Sequence, residues 1–150
     1  MPVYPACCTS VNKFIPSTLF ALDDVLLSTG FLEFCLKSFI PEDVNSMTNY
    51  LASPLMCPDD ILKKVPPTRI SVCENDPLRD GGLLFALKLK KAGADVKVDL
   101  YRDFIHGFLS FDLKINGNEE CHNATIKVQT HIKEFLFPSS TTPTPDALLT

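Results

Sequence analysis

No stretch of this 150-residue chain reaches the roughly 18 consecutive apolar residues that a membrane span needs. Basic residues are not in surplus either. Fourteen Lys and Arg against 18 Asp and Glu leave a formal charge of -4, which gives no footing for phosphate-backbone binding, so no nucleic-acid partner is expected. The local pairs Lys63-Lys64 and Lys90-Lys91, with Lys88, read as solvated helix faces. The opening Met1-Pro2-Val3-Tyr4-Pro5 carries neither a basic n-region nor an apolar h-region. It therefore lacks the marks of a secretory signal, and a cytoplasmic location is expected.

Six cysteines (Cys7, Cys8, Cys35, Cys57, Cys73 and Cys121) include no Cys-x-x-Cys pair. That spacing is what zinc and thioredoxin-like sites require, so buried thiols are expected, with no metal and no cofactor. Asn123-Ala124-Thr125 matches a glycosylation acceptor, but without a signal peptide it reads as chance. Glycine is scarce and badly spaced for one kind of chemistry. The six are Gly30, Gly81, Gly82, Gly93, Gly107 and Gly117, and no two stand four apart. A nucleophile elbow, Gly-x-Ser-x-Gly, needs that spacing for its sharp turn, and no His-Gly-Gly run is present for an oxyanion hole. Ser53 before Pro54 and Ser10 after the first apolar run have no elbow context, and no cysteine has it either.

Apolar residues make up 45% of the chain, enough to supply a core. Val3 to Cys8 reads as a short buried strand, and a strand this early suggests a chain that begins inside a larger domain. Pro16-Ser17 introduces a helical segment with Leu19, Leu22, Val25 and Leu26 at helical spacing; a second runs from Phe31 to Phe39 and stops at Pro41. Residues 41–58 are loop. Pro58-Asp59-Asp60 starts a short helix that Pro66-Pro67 ends. Arg69 to Cys73 is a strand. Asp80 is placed to cap a helix containing Leu83, Leu84, Leu87 and Leu89, with Gly93 as its C-terminal cap. Val96, Val98 and Leu100 alternate with polar residues as a second strand, so Arg69–Leu100 is one strand–helix–strand unit. A loop carrying Asn116-Gly117-Asn118 leads to a last helix, near Cys121 to Phe137, with Ala124, Val128, Ile132, Phe135 and Leu136 on one face. Residues 139–150 are Ser/Thr/Pro-rich and expected to be disordered.

Two motifs follow the two strands: Asp76-Pro77-Leu78-Arg79-Asp80, then His106-Gly107-Phe108. Parallel sheets collect catalytic groups where strands end and loops begin. A carboxylate there can orient an imidazole, whose unperturbed pKa near 6.5 suits it to take and return a proton. Taken alone, Asp76 could simply form an Asx-turn and His106 could be an ordinary loop histidine. Together, in the order Asp then His, they fit the chain order Ser, Asp, His of one hydrolase architecture. Asp80 competes for the acid role but is explained by capping, and Asp103 ranks third. His122 and His131, on the terminal helix, are expected at the surface.

At these residues the sequence resembles the hormone-sensitive lipase family of α/β-hydrolases. The likeness runs through Tyr4-Pro5-Ala6, Ser17 to Ile40, Ala52 to Asp59, Leu62 to Cys73, Asp76 to Asp80 and His106-Gly107-Phe108-Leu109. It implies an α/β fold, the C-terminal portion of an α/β-hydrolase, with a mostly parallel sheet flanked by helices and incomplete at its N-terminal side. It also implies catalytic roles for Asp76 and His106. In the family the elbow serine and oxyanion motif lie upstream of the matched region. The implied activity is carboxylic ester hydrolysis, with acylglycerols and cholesteryl esters as substrates and a lipid-droplet surface as a partner. Residues 1–138 would then be the C-terminal part of the catalytic domain, contributing acid and base without the serine. The alternative is an inactive lipid- or protein-binding module built on the same fold.

Overall fold

The computed structural model describes residues 1–9, 15–112 and 119–137. The chain divides into two compact units, Met1–Gly107 and Phe108–Thr150. The expected disordered tail and the Asn116-Gly117-Asn118 loop lie outside the described residues.

In the first unit, helix α1 (Pro16–Phe20) is followed by α2 (Thr29–Phe39), a 3-10 turn at Pro54–Met56 and the short α3 (Asp59–Leu62). Then come strand β1 (Thr68–Asn75), helix α4 (Arg79–Lys91) and strand β2 (Val96–Ile105). The expected strand–helix–strand unit is thus present, with β1 and β2 paired in parallel from Thr68↔Val96 to Cys73↔Tyr101. Arg69 and Asp99 lock across the pair through two hydrogen bonds, Nε to Oδ2 at 2.5 Å and Nη2 to Oδ1 at 3.1 Å. Forked contacts of this kind fix geometry as well as adding energy.

The core lies between β1 and α4. Ile70, Val72, Leu62 and Leu89 are each no more than 1% exposed, and Ala86, Ala92, Ala94 and Cys57 complete the cluster. Helix α4 buries Gly81, Gly82 and Ala86 and, of the four leucines its sequence advertises, Leu89 alone. Leu83, Leu84 and Leu87 point outward, 36–50% exposed. A Cβ on Gly82 would stand 2.8 Å from Val72 Cγ1, so the helix approaches the strand closely only because that position has no side chain. The helix ends as its glycine predicts. Gly93 takes φ +91°, its N–H bonds Lys90 O, and the Ala94 N–H bonds Leu89 O, the paired closure of a Schellman motif.

Several expectations need correction. Val3–Cys8 is not a strand; it makes a single parallel bridge, Val3↔Ser71, with Tyr4 N–H to Ser71 O at 2.8 Å and Ser71 N–H to Pro2 O at 3.0 Å. Leu22, Val25 and Leu26 are not helical, because Asp24 Oδ1 accepts the Leu26 and Leu27 N–H groups (2.8 and 2.7 Å) and holds the chain in a turn. Asp80 does not cap α4. Leu78 occupies that position, and Asp80 sits in the first turn with its carboxylate turned to α1.

The second unit holds a 3-10 turn at Phe108–Phe111 and helix α5 (Glu119–Leu136). Its buried positions are Cys121, Ala124, Thr125, Val128 and His131, whereas Ile132, Phe135 and Leu136 are 39–66% exposed. His131, expected at the surface, is therefore interior. His122 is half-exposed and pairs its Nδ1 with Asp112 Oδ1 at 2.9 Å.

Candidate active site

β1 runs straight into Asp76, whose side chain is 1% exposed. Its two oxygens divide the work. Oδ1 accepts the Leu78 N–H at 2.8 Å, an Asx-turn that closes the strand end, while Oδ2 stands 2.9 Å from His106 Nδ1. One oxygen thus closes the turn and the other meets the imidazole. An ionised carboxylate only accepts, so Nδ1 donates and the ring presents Nε2 as its basic atom.

His106 reaches this position because β2 is irregular. Pairing advances from Cys73↔Tyr101 to Asn75↔Ile105, which puts four residues of β2 against two of β1. Within that bulge Asp103 takes φ +62°, and its N–H bonds Glu74 Oε2 at 3.0 Å. Bulges re-aim strand ends, and this one delivers the loop after Ile105 to the end of β1. Gly107, at φ +76°, then turns the chain where a residue with a Cβ would be strained. Asp103, the third-ranked acid, is thereby accounted for as a bulge residue.

Asp80 has a different task. Its carboxylate accepts the Arg79 Nε–H (2.8 Å) and the Ser17 N–H (2.9 Å), and its own N–H bonds Ser17 Oγ (3.2 Å). The Ser17 hydroxyl in turn donates to Pro77 O at 2.8 Å, so α1 is tied directly to the loop behind Asp76. Burial pushes the Asp80 carboxyl up, but the hydrogen bonds from Arg79 and Ser17 and the guanidinium charge outweigh it and hold it below its usual range. A cleft of about 430 Å³ opens beside this cluster, lined by Phe20, Ala21 and Pro77 together with Ser17, Asp24, Glu74, Arg79 and Asp76 itself.

Neither of the serines singled out in the sequence is seen beside the histidine. Ser53 is fully buried, accepting the Thr9 N–H, and Ser10 lies outside the described residues. Burial, and then the charge of Asp76, push the Cys73 thiol up to about 12, so it stays protonated near neutrality. One contact of the histidine was not among the expectations from sequence. The Tyr4 ring packs on the imidazole with centroids 4.7 Å apart.

A family model for the alpha/beta hydrolase fold matches residues 1–110. Neutral cholesterol ester hydrolase 1 of Mus musculus is 36% identical over 72 residues, covering 48% of this chain and 18% of that protein. Hormone-sensitive lipase of Homo sapiens is 39% identical over 62 residues, covering 41% of this chain and 6% of that protein. Among solved structures, a hyperthermophilic esterase from Pyrobaculum calidifontis aligns with a TM-score of 0.76 at 26% identity, covering 89% of this chain. A thermostable esterase from Pseudomonas putida gives the same score and identity over 87%. The chain spans only 40–42% of those two esterases and less than a fifth of the curated relatives named. On the family match the conclusion is plain: the chain belongs to the alpha/beta hydrolase fold family, with esterase and lipase relatives, and its resemblance to hormone-sensitive lipase holds.

Proposed function

We propose that this chain carries the acid and base of a serine carboxylic ester hydrolase, Asp76 and His106, and that the seryl nucleophile comes from outside these 150 residues. The observation that carries the reading is the 2.9 Å contact between a buried carboxylate oxygen and Nδ1, at the ends of two paired parallel strands. In the working enzyme His106 Nε2 takes the serine proton as the hydroxyl attacks the ester carbonyl, then returns a proton to the departing alkoxide. Asp76 holds the tautomer that makes this possible and stabilises the imidazolium in between. The sequence contains no Gly-x-Ser-x-Gly, so the chain alone forms no acyl-enzyme; loss of such a serine costs on the order of 10⁶ in turnover.

Acylglycerols and cholesteryl esters are the proposed substrates, supported by partial likeness to a lipase and a cholesterol ester hydrolase. A lipid-droplet surface reached from the cytoplasm is the proposed location. It is supported by exposed Phe20, Phe34 and Phe39 in a chain whose described helices are none of them long and apolar enough to cross a membrane. The same exposed residues, with the missing elbow, favour the second reading, an inactive lipid- or protein-binding module.

Fluorophosphonate labelling and hydrolysis of p-nitrophenyl esters test the proposal. The chain alone should show neither; supplied with an elbow-bearing segment, fused or in trans, it should show both. Asp76→Asn should then lower turnover on the order of 10⁴-fold. Esterase activity of the chain alone that His106→Ala abolishes would refute an external nucleophile. Inactivity of every complemented form would favour the binding module.

A further inference from the structure

A single hydrogen bond does not fix an imidazole. Asp76 pins Nδ1, but the ring can still swing about the Nδ1–Oδ2 line, and the direction in which Nε2 points swings with it. A second contact away from that line is needed, and Tyr4 makes one. Its ring meets that of His106 at 61° with centroids 4.7 Å apart, an edge-to-face arrangement that aromatic quadrupoles favour.

The backbone carrying that ring is unusual. Tyr4 has φ +37°, a region residues with a Cβ avoid, and it directly precedes Pro5, which restricts its predecessor to extended conformations. Strain of this kind persists where the surroundings over-determine it. Here the parallel bridge of Val3 with Ser71 does so, through the Tyr4 N–H to Ser71 O and Ser71 N–H to Pro2 O bonds. Because Ser71 lies on β1, five residues before Asp76, one strand sets both the acid and the platform for the tyrosine. Burial, then the neighbouring Cys73 and Asp76, push the Tyr4 hydroxyl above its usual range, so the ring remains neutral beside the carboxylate.

We propose that Tyr4 is a positioning residue, held in a strained turn so that its ring sets the plane of His106 while Asp76 sets its Nδ1. This rests on the acid–base reading of the pair, and the test separates the two. NMR of the full chain with ¹⁵N,¹³C-histidine reports the tautomer and the order of the His106 ring, and thermal melting reports stability. Tyr4→Asn keeps a residue tolerant of positive φ and removes the ring. The melting temperature should hold, while the His106 ring loses order. Tyr4→Phe should leave both unchanged. A ring packed there only for stability would predict that order and melting temperature fall together. A folded Tyr4→Asn with wild-type His106 order overturns the proposal, as does a Tyr4→Phe that disorders the imidazole. If Tyr4→Asn does not fold, Tyr4→Leu decides, and undisturbed His106 order in it overturns the proposal equally. Asp76→Asn is the separate control. Should it leave the His106 tautomer unchanged, the acid–base reading fails, whatever the Tyr4 variants do.

Discussion

Two regions of the first unit use similar amino acids to opposite ends. Between Thr68 and Ile105 the apolar residues Ile70, Val72, Ala86 and Leu89 are at most 5% exposed. Between Ile15 and Leu51, Phe20, Val25, Phe39 and Leu51 are 79–98% exposed, and Phe34 is 66% exposed. Both regions contain apolar residues at regular spacing, so periodicity is not what separates them. Burial requires a facing surface. β1 and α4 supply each other with one, while α2 leaves its phenylalanines Phe31, Phe34 and Phe39 more than half exposed. Exposed apolar surface of this extent marks an interaction site more often than a stability device. Stability should therefore reside in the first region, and recognition in the second.

The sharpest way to break that contrast is to truncate both sides. Leu89→Ala empties a fully buried position of the β1–α4 core and should cost about 2–5 kcal/mol by denaturant unfolding. A loss below 1 kcal/mol would mean that the core is not where the packing places it. Gly82→Ala is expected to follow at roughly 1–3 kcal/mol, despite the better helix propensity of alanine. Its methyl would meet Val72 Cγ1 at 2.8 Å, and Val72, β-branched and 1% exposed, has little room to yield. A stabilised Gly82→Ala would show that α4 can slide on the strand.

The same contrast explains what could be read from the sequence. β1, α4, the Gly93 cap and the first part of β2 were legible because each is set by contacts within a few tens of residues and by strong local signals. Asp76 and His106 were legible as a pair through their order and their strand-end positions. The bulge that brings them together was not, since it depends on Glu74 reaching across to Asp103; the only local hint is an aspartate where a positive φ is tolerated. Asp80 read as a cap because caps are local, yet its partner Ser17 lies 63 residues away. Leu22 to Leu26 carry helical apolar spacing, but Asp24, a turn-former among them, accepts the N–H groups that follow it and holds the chain in a turn. Tyr4 lies in a stretch that carries the family likeness, yet its place beside His106 was not legible, because the Val3–Ser71 bridge that holds it joins residues far apart in sequence.

Asp80 joins the two regions, so its loss should be felt in both, though less than a core truncation. Asp80→Asn keeps one acceptor and removes the charge facing Arg79, and should cost about 1 kcal/mol. Its pH dependence has a definite sign. The folded carboxyl lies below its ordinary value of 3.8, so the ionised form is favoured by folding. That contribution is complete above the unfolded value and disappears as pH falls through the folded one. Wild-type and Asp80→Asn unfolding curves should accordingly differ near pH 7 and converge well below pH 4. A gap that persists at low pH would assign the effect to packing instead.

The smallest effect on stability is expected where the exposed phenylalanines are, and it is the most informative about function. Phe34→Ser and Phe20→Ser remove side chains 66% and 87% exposed, so neither change opens a cavity and each should alter unfolding free energy by about 0.5 kcal/mol or less. Phe34 does stack on Phe31 at 6.5 Å, but that pair is itself open to water. If these rings serve a lipid surface, the double variant should lose co-flotation with triacylglycerol emulsions while melting like the wild type. Binding would fall because the apolar area the rings could place in the interface is gone, at roughly 25 cal/mol for each Å² withdrawn. If the double variant instead unfolds like Leu89→Ala, the rings are core residues after all, and the division between a stabilising region and a recognising one collapses. If it melts normally and still floats with the emulsion, the division stands, and lipid recognition has to be sought elsewhere on the molecule.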